Sequence, residues 1–339
     1  MSAAKTSATL PARLGVVRRH PIVMLVGRRL GQGVLTLVAV SMLVFLATQV
    51  LPGNAAYAVL GITATPARLH ALELQLHLTD SVPHQYWLWV SGLVQGDPGT
   101  SLANGASVAS LVSGRLENSA VLVVGAGVIS TFLGIVLGVV AAARRDGWLD
   151  NSLSVFALVV TALPEFVVAI ILVTLFATVL SRVLPAVSDI APGTSPLSSI
   201  ASLILPVATL VLVTLPYIFR MTRAAMIDAL SSDYVEMAEL QGLSRRRVLF
   251  IQALPNAFPA AVQVVGLNLL YLAGGIVVVE YVFNYPGIGQ ALVAAVSDRD
   301  IPTIQFIVVV LAAFYVVVNI ATDVLSLVVT PRRRLPRSG

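Results

Sequence analysis

The chain has 339 residues, of which 57% are hydrophobic and only 11% charged, and its mean hydropathy is +0.92. So little charge on so much apolar material is the composition of a membrane protein and excludes an ordinary soluble domain. Cysteine is absent and Lys5 is the single lysine beside twenty arginines. The first fact excludes disulfides, thiolate catalysis and cysteine-held metals; the second excludes a phosphate loop of the GxxxxGK[ST] type, so by that route the chain hydrolyses no ATP.

Residues 1–29 are polar and basic, with Lys5, Arg13, Arg18, Arg19, Arg28 and Arg29. The apolar run 30–51 that follows is longer than the core of a signal peptide and can cross the roughly 30 Å hydrocarbon layer as a helix, which predicts an uncleaved first span. Further runs of spanning length are 119–143, 152–180, 197–219, 258–280 and 303–329. The expected fold is therefore an all-α polytopic membrane protein with six transmembrane helices. Six crossings put both termini on one side, and that side holds seventeen of the 21 lysines and arginines; the other has Arg68, Arg115, Arg182 and Arg299. The positive-inside rule predicts that the termini, 1–29 and 330–339, and the loop 220–257 of this multi-pass protein are cytoplasmic.

The segment 52–118 is too long for a structureless loop and predicts a small helical cap on the external face. Pro66–Leu78 starts with a proline and reads as a helix. Tyr86, Trp87 and Trp89 form an aromatic group suited to the membrane–water boundary. Gly96-Asp97-Pro98-Gly99 is a turn, and Val108–Glu117 leads helically into span two. A shorter external turn and helix are expected over 281–302.

The polar stretch Ser232–Asn256 has the chemistry of a helix, a sharp turn and a second helix. Asp233 and Glu236 have the spacing of a capping box, and an acidic first turn suits the helix dipole. Tyr234, Met237 and Ala238 fall at i, i+3 and i+4, which predicts one apolar face. Gly242 supplies the residue that closes a helix in the left-handed conformation. Ser244 is placed to cap the next helix, which carries Arg245, Arg246 and Arg247, and Leu254-Pro255 is expected to stop it. An arginine-rich helix pair between membrane spans reads as a cytoplasmic docking element; the positive-inside bias accounts for its arginines without nucleic acid.

Glu236-Met237-Ala238, three residues, Gly242, and then Leu254-Pro255 resembles the EAA loop of ABC-importer permeases, EAA-x3-G-x9-I-x-LP. Met237 stands at the second motif position, and Gln252 where isoleucine is usual, with Ile251 one place early. Further blocks resemble the B-type permeases of dipeptide and oligopeptide importers: Leu51-Pro52-Gly53, Gln85-Tyr86, Gly96-Asp97-Pro98-Gly99-Thr100-Ser101, Leu163-Pro164-Glu165-Phe166, Glu280-Tyr281-Val282-Phe283 and Pro286-Gly287-Ile288-Gly289. Asn54 stands where that family often has Asp, and no role is carried onto it. The resemblance spans about Leu30 to Arg332. It implies a transport subunit without its own ATPase site, paired in a heterodimer with a C-type permease. Two cytoplasmic ATPase subunits would bind ATP and Mg, and an external substrate-binding lipoprotein would deliver cargo at a bacterial inner membrane. It places ATPase coupling on Asp233, Tyr234, Glu236, Met237, Ala238, Gly242, Leu254 and Pro255.

Glu165 lies inside the third apolar run directly after Pro164, where an ionisable side chain lines a pathway or partners backbone groups at a helix break. Glu280 is expected to order the external turn of Pro286, Gly287 and Gly289 rather than touch cargo. Asp323 invites an arginine. Asn268 and Asn319 read as inter-helix hydrogen-bond partners, with cavity lining the other reading. His70, His77 and His84 recur every seven residues, but steps of about 10.5 Å are too long for one ion, and Pro83 interrupts a single helix. No Ser-His-Asp, zinc or paired-carboxylate constellation is evident, and no cofactor is expected in this chain. The function expected is that of an importer permease for di- and oligopeptides. Relatives of this architecture also carry nickel chelates, haem and glutathione, and no residue selects among these cargoes. The alternatives of another class are a stand-alone ion-gradient transporter, whose internal repeat the halves do not show, and a membrane receptor or scaffold.

Overall fold

A computed structural model of the chain describes residues 21–50, 55–60, 64–75, 78–179, 184–191 and 193–329. Leu51-Pro52-Gly53, Asn54 and His77 lie outside them. The helices are α1 (Pro21–Val50), α2 (Ala55–Leu60), α3 (Pro66–Gln75), α4 (Val82–Val94), α5 (Val108–Ala143), α6 (Trp148–Ala162), α7 (Glu165–Val173), α8 (Ile200–Leu230), α9 (Asp233–Leu240), α10 (Arg245–Arg247), α11 (Leu254–Val282), α12 (Ile288–Asp298) and α13 (Ile301–Val329). Five are long and apolar enough to cross a membrane, or up to six if the bent pair α6–α7 is one span. Several overrun the predicted spans. α5 has 36 residues and fuses the 108–117 segment to span two, while α8 has 31 and carries span four on to Leu230. At 1.5 Å per residue these are about 54 and 46 Å long, more than the roughly 30 Å hydrocarbon layer, so their ends stand clear of it. Likewise α1 begins at Pro21, which puts Arg28 and Arg29 within a helix.

The third predicted span is not one helix. α6 and α7 meet at 106°, because Leu163, the residue before Pro164, is extended (φ −89°, ψ 132°) and Pro164 then begins α7. Its two anchors lie at opposite ends of the bundle. Asp150, in the first turn of α6, binds Arg223 two turns from the end of α8. Beyond α7, the Ser188 N–H donates to the Phe283 carbonyl just past the end of α11, at 2.8 Å. The broken pair therefore runs from one end of the bundle to the other, and counted as one span it brings the segments able to cross a membrane to six.

The core forms where α5, α8 and α11 meet, with Leu122, Leu205, Phe219, Leu272 and Ile276 buried together. α5 approaches α8 closely through Gly134 and Gly138. A Cβ at these positions would stand 2.7 Å from the Ile218 Cβ and 2.8 Å from the Thr222 Cβ, which is the close packing that small residues four apart permit. α1 is peripheral and packs on α13. Near one end Arg29 pairs with Asp323 at 2.6 Å; near the other the Gln305 amide donates to Thr48 Oγ1 at 2.8 Å. The first of these is the basic end of the bundle, and the second is the cap end.

At the cap end, α4 lies against α1. Tyr86 and Trp89 pack on Phe45 at 5.3 and 6.0 Å between ring centroids, and the Tyr86 hydroxyl bonds Ser41 at 2.9 Å. Trp87 points outward. The turn after α4 uses Gly96 and Gly99 at φ +85° and +88°, and the buried Asp300 ties the following loop to α13. One Asp300 oxygen accepts from the Leu102 N–H at 2.9 Å, the other from the Ser101 and Thr303 hydroxyls.

Candidate functional site

At the basic end, α9 hangs beneath α8 on a two-residue turn, Ser231 and Ser232. Ser232 occupies the N-cap position, but its hydroxyl turns back to donate to the Ala229 carbonyl at 2.5 Å. Asp233 is thus the first helical residue, and the capping box predicted from Asp233 and Glu236 does not form. Both carboxylates still fall in the first turn, where the dipole favours them. The predicted apolar face is also rotated. Val235 and Ala238, 2% and 5% exposed, pack on Val248, whereas Tyr234, Met237 and Leu240 are 42%, 57% and 77% exposed. Burial of Val235 fixes the helix one position round from the i, i+3, i+4 set, so of that set Ala238 alone faces inward.

Gly242, at φ +80°, closes α9. Its N–H donates to the Glu239 carbonyl at 2.9 Å and the Leu243 N–H to that of Ala238 at 3.2 Å, a closure that a side chain at this φ would strain. Ser244 precedes α10 as its N-cap but makes no side-chain capping bond. The Arg245 guanidinium donates to the Ala143 carbonyl at 2.7 Å, joining the element to the end of α5. Leu254-Pro255 does not stop the second helix. Leu254 is helical (φ −57°, ψ −44°), and α10 runs through a π turn at Val248–Ala253 into α11. The change of hydrogen-bond register just upstream accommodates the donor that Pro255 lacks.

At the cap end, the fully buried Glu280 forms a joint. Its Oε2 accepts from the Gly289 and Gln290 N–H groups at 2.7 and 3.2 Å, and its Oε1 from the Ser119 hydroxyl at 2.5 Å. Ser119 also accepts the Ile288 N–H at 2.9 Å. The carboxylate therefore sits on the N-terminus of α12, the favourable end of its dipole. A Cβ at Gly287 would overlap that carboxylate, and one at Gly289 would stand 2.9 Å from Oε2. Asn118 donates to the Pro286 carbonyl and accepts at its own carbonyl from the Tyr285 hydroxyl, both at 2.8 Å. Burial pushes that phenol above its ordinary range.

Glu165 is half-buried in the first turn of α7, with its carboxylate against Gly275 of α11. The Tyr271 hydroxyl faces it, and the Tyr217 ring of α8 lies 6.1 Å from that of Tyr271. Asn268 and Asn319 do not bridge helices through the bonds they make. Each side-chain amide donates within its own helix at 2.9 Å, to Val264 and Tyr315, because the carbonyl four residues back is within reach. Asn319 lines a cavity of about 400 Å³ with Arg29, Gln263, Asp323 and Ser326. His70 and His84 sit on separate helices, 3.9 Å from Glu73 and 3.7 Å from Asp80. Sequence reasoning did not single out the Asp150–Arg223 pair, the Gly134-Gly138 contact or the two tyrosines beside Glu165. Of these, the glycine spacing was the readable signal.

Comparison with known proteins adds to this geometry. Residues 134–335 match the model for "Binding-protein-dependent transport system inner membrane component", and 22–119 match its N-terminal companion. A probable peptide ABC transporter permease protein of Sinorhizobium fredii is 35% identical over 91% of this chain and 98% of its own length. A putative peptide transport system permease protein of Brucella abortus is 33% identical over 91% and 98%. A glutathione transport system permease protein of Escherichia coli is 33% identical over 88% and 95%. With family models covering most of a helical bundle that has five helices able to cross a membrane, or six with the broken pair, the chain belongs to the binding-protein-dependent transport system inner membrane component family and is a multi-pass membrane permease of ABC-transporter type.

Proposed function

We propose that this chain is one permease subunit of an ATP-driven importer of short peptides. A second permease would complete the path, two ATPase subunits would bind ATP and Mg on the cytoplasmic side, and an external binding protein would deliver cargo to the cap. The observation that carries this reading is α9. Its Val235 and Ala238 hold it to the bundle, while Tyr234, Met237 and Leu240 present apolar side chains outward. A short rigid helix with an open apolar face is what a groove on another subunit would grip. Through Arg245 and the α8 junction, movement of α9 reaches α5 and α8 together, so a nucleotide cycle in the partner would tilt core helices. The basic end faces the cytoplasm in this reading, in a bacterial inner membrane.

The relatives named for peptide transport support the cargo, and glutathione, itself a small peptide, stays within the same class. Family membership favours this reading over a stand-alone ion-gradient transporter, which would need no ATPase. The test is reconstitution with partner subunits. Gly242→Pro cannot adopt φ +80°, and Glu236→Arg reverses a charge in the first turn of α9. Both should insert in the membrane yet lose peptide uptake and its coupled ATPase stimulation by at least tenfold; normal uptake by both would refute the coupling role.

A further inference from the structure

The break in the third crossing leaves an ionisable group deep in the bundle. No lysine, arginine or histidine among the described residues pairs with the Glu165 carboxylate. Both of its oxygens lie where a Cβ on Gly275 would stand 2.9 Å away, so glycine makes the room. Tyr271, one turn before Gly275, faces the carboxylate, and Tyr217 brings a second ring from α8. Both tyrosines remain open, at 41% and 43% exposure. Counting along the helices, Tyr217 is about 25 Å from Ile200 and about 20 Å from Leu230, and Tyr271 about 25 Å from Leu254 and about 16 Å from Val282. The group thus sits near mid-bundle, on a face that the described residues leave open.

An ionised carboxylate at that depth is costly without a cation. A ligand ammonium would remove the cost, because the carboxylate offers a charge-assisted hydrogen bond and the tyrosine rings offer electron-rich faces. One primary ammonium is present on every peptide whatever its side chains. A grip on that group would hold cargo independently of sequence.

We propose that Glu165, with Tyr217 and Tyr271, forms the subsite of the translocation path that takes the N-terminal ammonium of a peptide in transit. The proposal rests on the peptide-import reading above. Gly275 makes the space, and the bend at Leu163-Pro164 puts the carboxylate at the start of a helix, beside α11.

The test uses the assembled importer in proteoliposomes with trialanine and N-acetyl-trialanine as probes. The ratio of their uptake rates should fall roughly tenfold in Glu165→Gln, the loss expected for one charge-assisted bond, and recover in Glu165→Asp. In the unmutated importer, carbodiimide coupling to Glu165, read by mass spectrometry, should be slowed by trialanine and not by the acetylated peptide. Equal protection by both peptides, protection by neither, or an unchanged ratio in Glu165→Gln would overturn the subsite while leaving peptide import standing. An unmutated importer that carries no peptide removes the import reading first, and the subsite with it.

Discussion

Glu280 shows how a buried carboxylate can hold two elements in register. It accepts the Gly289 and Gln290 N–H groups in the first turn of α12 and takes the hydroxyl of Ser119 from α5, so three segments meet on two oxygen atoms. Removing it strands donors. Glu280→Ala leaves two N–H groups and one hydroxyl in a buried site without acceptors, which should cost about 3 kcal/mol. Glu280→Gln keeps one carbonyl oxygen but sets an amide where a second acceptor stood, and should cost less. Thermal unfolding of the purified protein in detergent checks this order. Were Glu280→Ala to melt with the unmutated chain, the joint would not hold α12. Gly134 and Gly138 act in the opposite sense, through what they lack: their bare Cα atoms let α5 close on Ile218 and Thr222.

Between elements, the strongest tie at the basic end is Asp150 of α6 with Arg223 of α8. The Arg223 Nε and Nη2 donate to the two oxygens of Asp150 at 2.5 and 2.7 Å, and the Asp146 N–H adds a third bond at 3.0 Å. The pair is unequal, with side-chain exposures of 1% for Asp150 and 27% for Arg223. Arg223→Ala therefore leaves a buried charge nearly alone and should cost about 3 kcal/mol, whereas Asp150→Ala frees an arginine that can turn to water and should cost less. The double variant should recover much of the Arg223→Ala loss, and a double-mutant cycle with purely additive effects would show that the two helices are held by packing instead. The sequence carried the elements better than these ties. Long apolar runs are readable because a bilayer demands them, and Pro164 announced a break, though not its 106° angle. The α9 face departs from the i, i+3, i+4 spacing because Val235, one place beyond Tyr234, takes the core position against Val248. The Asn268 and Asn319 amides bond within their own helices because a helix supplies an acceptor four residues back. Such outcomes depend on which neighbour arrives first, and spacing alone does not contain that.

At the scale of the molecule, charge and architecture point the same way. Among the described residues most arginines (Arg28, Arg29, Arg144, Arg145, Arg220, Arg223 and Arg245–Arg247) gather toward the end that carries α9, and the opposite end carries the α4 cap and the Glu280 joint. In the positive-inside orientation proposed above, these ends would face the cytoplasm and the exterior. The chain contains no cysteine, so each introduced cysteine is a unique reporter without background removal. Met237 on α9 and Trp87 on α4 are both exposed, at 57% and 66%, and neither contributes to the core clusters. Met237→Cys should react with a membrane-impermeant maleimide in inverted vesicles and stay silent in intact cells, and Trp87→Cys should do the reverse. A second comparison separates orientation from coupling. When the ATPase subunits are bound, labelling of Met237→Cys should fall at least fivefold, because the open face of α9 would then lie in their groove, while Trp87→Cys should label as before. Reaction of Met237→Cys from outside would invert the topology and end the coupling proposal. Labelling from inside that the ATPase subunits leave unchanged would keep the topology and place their contact somewhere other than α9.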